Sequence, residues 1–260
     1  MKILNACIWQ ECNYKCANCP MVKWLYPRDH ELNALRFDTL TKWLTKYINP
    51  KEWFIVLTGG EPSLFPEFDK LLNWLRERDY IGSILSNGNK FNKITNFKVI
   101  SAWHKDMPMP ETYDEIVVVR DPEDSWSAKV DELTIKDIKY RTKEFVKFGP
   151  DGGQSSSWKF EDEDASKFIF DGVSSIYASG TGAGCWVESA KEQIVLDMKP
   201  PIIYDEFNNA ACPCCNNICQ AELTVEKHFP DLFSKLMAER TELLKSKIIS
   251  WHLDRDSKSG

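Results

Sequence analysis

Ile3-Leu4-Asn5-Ala6-Cys7-Ile8-Trp9 is a short, largely apolar run, and shortly after it the chain reads Cys12-Asn13-Tyr14-Lys15-Cys16-Ala17-Asn18-Cys19-Pro20. The first stretch has the length and character of a β-strand, and its end delivers a loop carrying three thiols with no local fourth. Structural zinc takes a closed set of four ligands, whereas a reactive centre leaves one position free for something that exchanges. Cys12, Cys16 and Cys19 therefore point to a metal site with one open corner, placed at the end of a strand.

Working outward, apolar runs of strand length alternate with stripes at helical spacing, the order that builds parallel strands joined by crossover helices. Phe37, Leu40, Trp43, Leu44, Tyr47 and Ile48 fall on one helical face, with Asp38 or Thr39 near its start and Pro50 just past its end. Trp53 to Thr58 predicts a second strand that runs into Gly59-Gly60-Glu61-Pro62. Phe68, Leu71, Leu72 and Leu75 predict the next helix, and Ile81 to Leu85 a third strand closed by Ser86-Asn87-Gly88-Asn89. Lys98 to Trp103 and Glu115 to Arg120 read as fourth and fifth strands. The fold class expected is α/β, a partial (β/α)6 barrel of parallel strands whose strand ends open on one rim, where loops vary without disturbing the core.

Composition limits the alternatives. With 260 residues, 43% of them hydrophobic, the chain can bury one full core and a small appendage. A formal charge of -6 leaves no basic footprint for phosphates, so nucleic acid is not a favoured partner. The apolar part of the N-terminus is too short for a signal peptide and no later run could span a bilayer, which predicts a cytoplasmic protein without a membrane partner. Nine cysteines, an odd number, in a reducing compartment favour metal binding over a disulfide framework.

Two glycines in Gly59-Gly60-Glu61-Pro62 let backbone approach a ligand closely, and Glu61 sets a carboxylate at a strand end where an ammonium group can be received. Read alone, the tetrapeptide is an ordinary strand-to-helix turn. Following the CxxxCxxC loop by one helix and one strand, it completes a pattern that resembles the radical S-adenosylmethionine (radical SAM) enzymes over approximately residues 1 to 120.

That resemblance implies a 4Fe-4S cluster on Cys12, Cys16 and Cys19, with the amine and carboxylate of S-adenosylmethionine chelating the fourth iron. It implies that Gly59, Gly60 and Glu61 bind the methionine amine. Ser86 and Asn87 correspond to the polar motif that touches the cofactor ribose; the plainer reading is an Asn-Gly turn. Arg120, at the end of Ile116-Val117-Val118-Val119, stands where a guanidinium clamps the cofactor carboxylate, or is a surface arginine. His104 either faces the substrate or is incidental packing. The residue before the third cysteine is usually aromatic in this family; here it is Asn18, leaving Tyr14, Trp9 or Trp24 to pack the adenine. The family chemistry is reductive cleavage of S-adenosylmethionine to a 5'-deoxyadenosyl radical that abstracts hydrogen. Such clusters reach potentials as low as roughly -700 mV, so a low-potential electron donor such as flavodoxin or ferredoxin is an expected partner.

Beyond residue 120 the chain has its own features. Gly149 to Ser157 and Glu161 to Asp164 read as solvated loop or part of a lid. Ser179 to Gly184 lacks the lysine of a phosphate-binding loop and reads as a flexible approach to Cys185. Cys212-Pro213-Cys214-Cys215-Asn216-Asn217-Ile218-Cys219 holds a second group, Cys212, Cys215 and Cys219, with Cys185 as a fourth ligand. Cys214 is an alternative to Cys215. Two fillings compete, a second 4Fe-4S cluster of the shortened SPASM or twitch kind, favoured by the family context, and a zinc ion. Cys185 has a second reading as a catalytic hydrogen-atom donor, and Cys7 reads as core.

Pro230-Asp231-Leu232-Phe233 and then Leu236, Met237, Leu243, Leu244, Ile248 and Ile249 suit one long amphipathic helix that packs on the barrel, closes its open side or forms a dimer seam. The expected organisation is thus a barrel over 1–180, a cysteine-rich segment over 181–225, and a helix with a disordered tail over 226–260. The substrate class expected is a peptide or small metabolite; the alternatives are a nucleotide, nucleoside or nucleic acid, and, in another class, a non-catalytic metal-binding or electron-transfer protein.

Overall fold

A computed structural model describes residues 1–9, 11–14, 36–103, 107–120, 133–134, 136–148, 153–156, 173–177, 181–183, 194–195, 201 and 216–242. Strand β1 (Lys2–Trp9), helix α1 (Phe37–Tyr47), β2 (Trp53–Gly59), α2 (Phe68–Glu77), β3 (Ile81–Ser86), β4 (Phe97–Trp103), β5 (Glu115–Arg120) and β6 (Tyr140–Phe148) follow in order. β1 to β6 lie side by side in chain order and run parallel. β8 (Val173–Tyr177) joins parallel on the other side of β1. Short antiparallel strands extend both edges: β7 (Gly153–Ser156) beside β6, and β9 (Thr181–Ala183) with β10 (Ile194–Val195) beyond β8. This is the expected partial α/β barrel.

Strand alternation sorts the side chains between two cores. Leu4, Ala6 and Ile8 of β1 and Trp53, Ile55 and Leu57 of β2 point to the face covered by α1 and α2, where they meet Leu40, Trp43, Leu44, Leu71, Leu72 and Leu75. Ile3, Phe54 and Val56 point the other way and meet Ala221, Val225 and Leu236. Strands covered on both sides read as near-continuous apolar runs, as β2 does. Each fully buried Leu, Ile or Phe contributes about 1.5–3 kcal/mol.

The helix ends are finished by tertiary contacts rather than by local caps. Arg36 offers α1 no side-chain cap, and the backbone N–H of Phe37 donates instead to Glu67 Oε2 at 3.3 Å. At the other end the hydroxyl of Tyr80 donates to the carbonyl of Ile48 at 2.8 Å, satisfying an end carbonyl that has no partner within the helix. The crossover from β3 to β4 departs from a regular βα repeat, because residues 87–96 form no helix. Ten residues fall short of the dozen or so a helical crossover takes. The loop is held to the next one instead: Gly88 O accepts from Glu111 N at 2.8 Å, and Phe91 N donates to Thr112 Oγ1 at 3.1 Å.

The C-terminal part contains two helices where one was expected. Helix α3 (Asn216–His228) runs across the anticipated 225/226 boundary, the chain breaks at Phe229, and α4 spans 230–242. Pro230 is the reason, since a residue without a backbone N–H starts a helix well and interrupts one badly. The pair closes the barrel face opposite α1 and α2, with Phe229 edge-on to Phe54 at 6.1 Å. Leu243 to Ile249 and Glu161 to Asp164 lie outside the described residues, whereas two stretches expected as loop are in part strand: Gly153–Ser156 of the 149–157 segment is β7, paired with β6, and Thr181–Ala183 of the 179–184 segment is β9, paired with β8. No helix among the described residues is long and apolar enough to cross a membrane.

Candidate functional site

The ends of β1, β2 and β3 meet on one rim. Gly60 N donates to Trp9 O at 2.8 Å, and Glu61 N donates to Glu11 O at 2.8 Å, so the turn after β2 is stitched to the entrance of the cysteine loop. Gly59 makes this closeness attainable: its φ is +155°, and a Cβ there would stand 2.1 Å from Trp9 O. Only glycine adopts that backbone without strain.

Glu61 is fully buried, and its carboxylate gathers four donors. Oε1 accepts from Ser63 N at 3.1 Å, Ser63 Oγ at 2.6 Å and Ser86 Oγ at 2.8 Å. Oε2 accepts from Asn87 N at 2.7 Å. A buried carboxylate costs several kcal/mol unless it is well supplied with donors, and here the supply comes from the loops after both β2 and β3.

Asn87 connects this hub to the cysteine loop. Its Nδ2 donates to Asn13 Oδ1 at 2.7 Å and to Cys12 Sγ at 3.6 Å, which accounts for both amide hydrogens. Tyr14 N also donates to Cys12 Sγ, at 3.4 Å. Asn13 Nδ2 donates to Asn89 Oδ1 at 2.9 Å, and Asn89 Nδ2 to Ser63 Oγ at 3.1 Å, closing a ring of polar contacts. Asn13, Ser63 and Asn89 were missed as site residues. For Asn13 and Asn89 the signal was present, since both lie inside motif loops already singled out, whereas Ser63 stands one residue past the Gly59-Gly60-Glu61-Pro62 turn.

The donor set fits the groups the sequence implies. A cysteine sulfur flanked by two N–H donors is an environment that favours a thiolate, the form that binds metal. Asn87 Oδ1 is buried and has no hydrogen-bond partner among the described residues, leaving an acceptor for a hydroxyl such as that of a ribose.

The other anticipated residues distribute as follows. Arg120 is the last residue of β5, on the same rim; its side chain lies outside the described residues. So do Cys16, Cys19, Asn18, Trp24, His104, Cys185, Cys212, Cys214 and Cys215. Cys219 is on α3, with its side chain likewise outside them. Cys7 is buried on β1, as core residues are. Of the aromatic alternatives, Trp9 packs on Phe65 at 6.0 Å in the helix-covered core, and Tyr14 packs against the cluster of Trp103, Met107, Ile116, Val118 and Leu133.

A second polar group sits at the opposite end of the strands. Glu115, the first residue of β5 and buried, pairs with Arg141 Nε on β6, with Lys227 Nζ at 3.3 Å and with His228 Nε2 at 3.4 Å on α3. Burial holds the His228 pKa below its usual value, against the upward pull of Glu115. This ion cluster fastens α3 to the barrel, and nothing in the local pattern of β5 announced it.

No family model matches the sequence, and no curated protein does. Among solved structures, the crystal structure of Streptococcus suis SuiB bound to S-adenosylmethionine is similar with a TM-score of 0.51 at 12% identity, over 83% of this chain and 67% of that one. A further crystal structure of SuiB gives 0.44 at 11% identity over 79% and 63% of the two chains. SuiB bound to precursor peptide SuiA gives 0.46 at 11% identity over 83% and 66%. What is shared is architecture: this chain has the partial α/β barrel fold of the radical SAM enzymes.

Proposed function

We propose that the chain is a radical SAM enzyme that acts on a peptide or small metabolite. Asn87 carries the proposal, because it bonds the sulfur of Cys12 and the carboxylate of Glu61 at once. Three separate motif loops thereby become one site. When bound, a 4Fe-4S cluster on Cys12, Cys16 and Cys19 together with S-adenosylmethionine supplies the one-electron chemistry and the carbon radical that no side chain provides.

The chain's own residues bind and orient. Oε1 of Glu61 is taken by three donors and Oε2 by one, so Oε2 keeps capacity for an N–H of the methionine ammonium, beside the backbone of Gly59 and Gly60. Ser86 gives its hydroxyl hydrogen to Glu61 and accepts from Gly88 N at 3.0 Å, which leaves the ribose chiefly to Asn87 Oδ1. Arg120 receives the cofactor carboxylate. Cys185, Cys212, Cys215 and Cys219 hold a second cluster or a zinc ion, with Cys185 alternatively a hydrogen-atom donor. A low-potential flavodoxin or ferredoxin supplies the electron, and the protein works in the cytoplasm.

The test is anaerobic reconstitution with iron and sulfide counts, electron paramagnetic resonance (EPR) of the reduced protein, and chromatography for 5'-deoxyadenosine. A reducible 4Fe-4S signal and 5'-deoxyadenosine are expected, both lost in Cys12→Ala. A single tetrahedral zinc at Cys12, Cys16 and Cys19, or a cluster that yields no 5'-deoxyadenosine with any reductant, overturns the proposal.

A further inference from the structure

We infer that Asn87 is a positioning residue that tunes the reduction potential of the metal centre through an N–H···S hydrogen bond to Cys12. The inference rests on the function proposed above and goes beyond it, since the family resemblance connects this residue with ribose alone.

The geometry behind it is over-determined. The backbone N–H of Asn87 is fixed on Glu61 Oε2 at 2.7 Å, and Gly88, at φ +89°, turns the chain immediately afterwards. One amide hydrogen is spent on Asn13 Oδ1 at 2.7 Å, which leaves the other for Cys12 Sγ at 3.6 Å. Asn13 is itself held by Asn89 at 2.9 Å. The amide therefore has little freedom to rotate away from the sulfur. Cluster potential responds to charge, exposure and hydrogen bonds to sulfur, and this bond comes from a loop 75 residues away in sequence.

The direction follows from electrostatics. Taking up one electron makes the cluster and its thiolates more negative, and an N–H dipole aimed at sulfur stabilises that added charge. The event tuned is transfer of one electron from a low-potential flavin or iron-sulfur donor; no bond forms or breaks and no proton moves. Removing the donor lowers the equilibrium constant for reduction by about tenfold, which for one electron is a midpoint about 59 mV more negative. Because Asn87 Oδ1 has no partner among the described residues, a hydroxyl bound there polarises the same amide and strengthens its N–H···S bond. Cofactor binding and cluster potential are thereby coupled through one side chain.

The experiment is an EPR-monitored redox titration of the reconstituted full chain, unaltered and as Asn87→Leu, which keeps the volume and excludes water while removing the donor. A midpoint more negative by about the tenfold equivalent is expected in N87L. In parallel, the unaltered protein is grown with asparagine labelled with nitrogen-15 at the side-chain amide, and its reduced cluster is studied by pulsed EPR. A nitrogen-15 coupling is expected, and this arm decides the matter if N87L does not fold or load. An unchanged midpoint in a loaded N87L, or no coupling in the loaded unaltered protein, overturns the inference and leaves the proposed function standing. An unaltered protein that takes up no 4Fe-4S cluster overturns both.

Discussion

Ser86 and Glu61 lie 25 residues apart in sequence and 2.8 Å apart in space, hydroxyl to carboxylate, in the fully buried interior beneath the rim. The bond joins the ends of β2 and β3, and with the backbone of Asn87 on the same carboxylate it makes Glu61 a structural keystone as well as a candidate ligand. Glu61→Gln replaces one acceptor oxygen with an amide that faces hydrogen-bond donors. A stability loss of about 2 kcal/mol is expected, read as a lower midpoint with unchanged slope in urea unfolding.

Gly59 admits no side chain. Its φ of +155° and the 2.1 Å from a built Cβ to the Trp9 carbonyl oxygen set the new methyl group against backbone, which has no flexible end to yield. Gly59→Ala is expected to cost about 3 kcal/mol. The check is thermal unfolding beside Asn92→Ala, an exposed position expected to change stability by under about 0.5 kcal/mol.

The buried Glu115 cluster fastens the C-terminal helices. Glu115→Ala removes the buried carboxylate that Arg141, Lys227 and His228 share and is expected to cost about 3–5 kcal/mol, with faster hydrogen exchange across 216–228. A double variant, Glu115→Leu with Arg141→Met, is expected to regain most of the loss, because apolar packing replaces a buried ion pair at little cost. No recovery in the double variant assigns the cluster another task.

His228 sets a pH dependence. Burial lowers its pKa in the folded protein from the ordinary 6.5, against Glu115 and Asp114, which raise it, and with Lys227 lowering it further. In the window from 6.5 down to the depressed folded value, the unfolded chain binds more protons than the folded one. Stability is therefore full above 6.5 and falls as pH drops through that window, with a slope of at most about 1.4 kcal/mol per pH unit. Urea midpoints between pH 7.5 and pH 5 measure it, and His228→Asn is expected to flatten this part of the profile.

Much of the fold was legible because its signals are local. The apolar stripe of Phe68, Leu71, Leu72 and Leu75 is the buried face of α2, and the run from Trp53 is β2 to within one residue. The helix-free crossover at 87–96 departs from the regular repeat because polar turn formers fill a link too short to wind a helix. Helix α3 was missed because the cysteine pattern over 212–219 carried the reading of that segment, whereas the start of α4 was legible from Pro230, which opens a helix well, and from the stripe of Leu236 and Met237.

By itself, the order of residues determined which segments become strands and helices and which loops carry sulfur, carboxylate and amide groups. Those properties depend on neighbours within a few positions, through periods of two for strands and about 3.6 for helices. Only the tertiary structure decided that Asn87 reaches Cys12, that Glu61 spends its carboxylate on the end of β3, and that Glu115 holds α3. Such contacts depend on strand register and on how the sheet brings strand ends together. They join residues from 25 positions apart, for Glu61 and Ser86 on the rim, to 112 apart, for Glu115 and Lys227 at the opposite strand ends, and no local pattern of residues encodes that proximity.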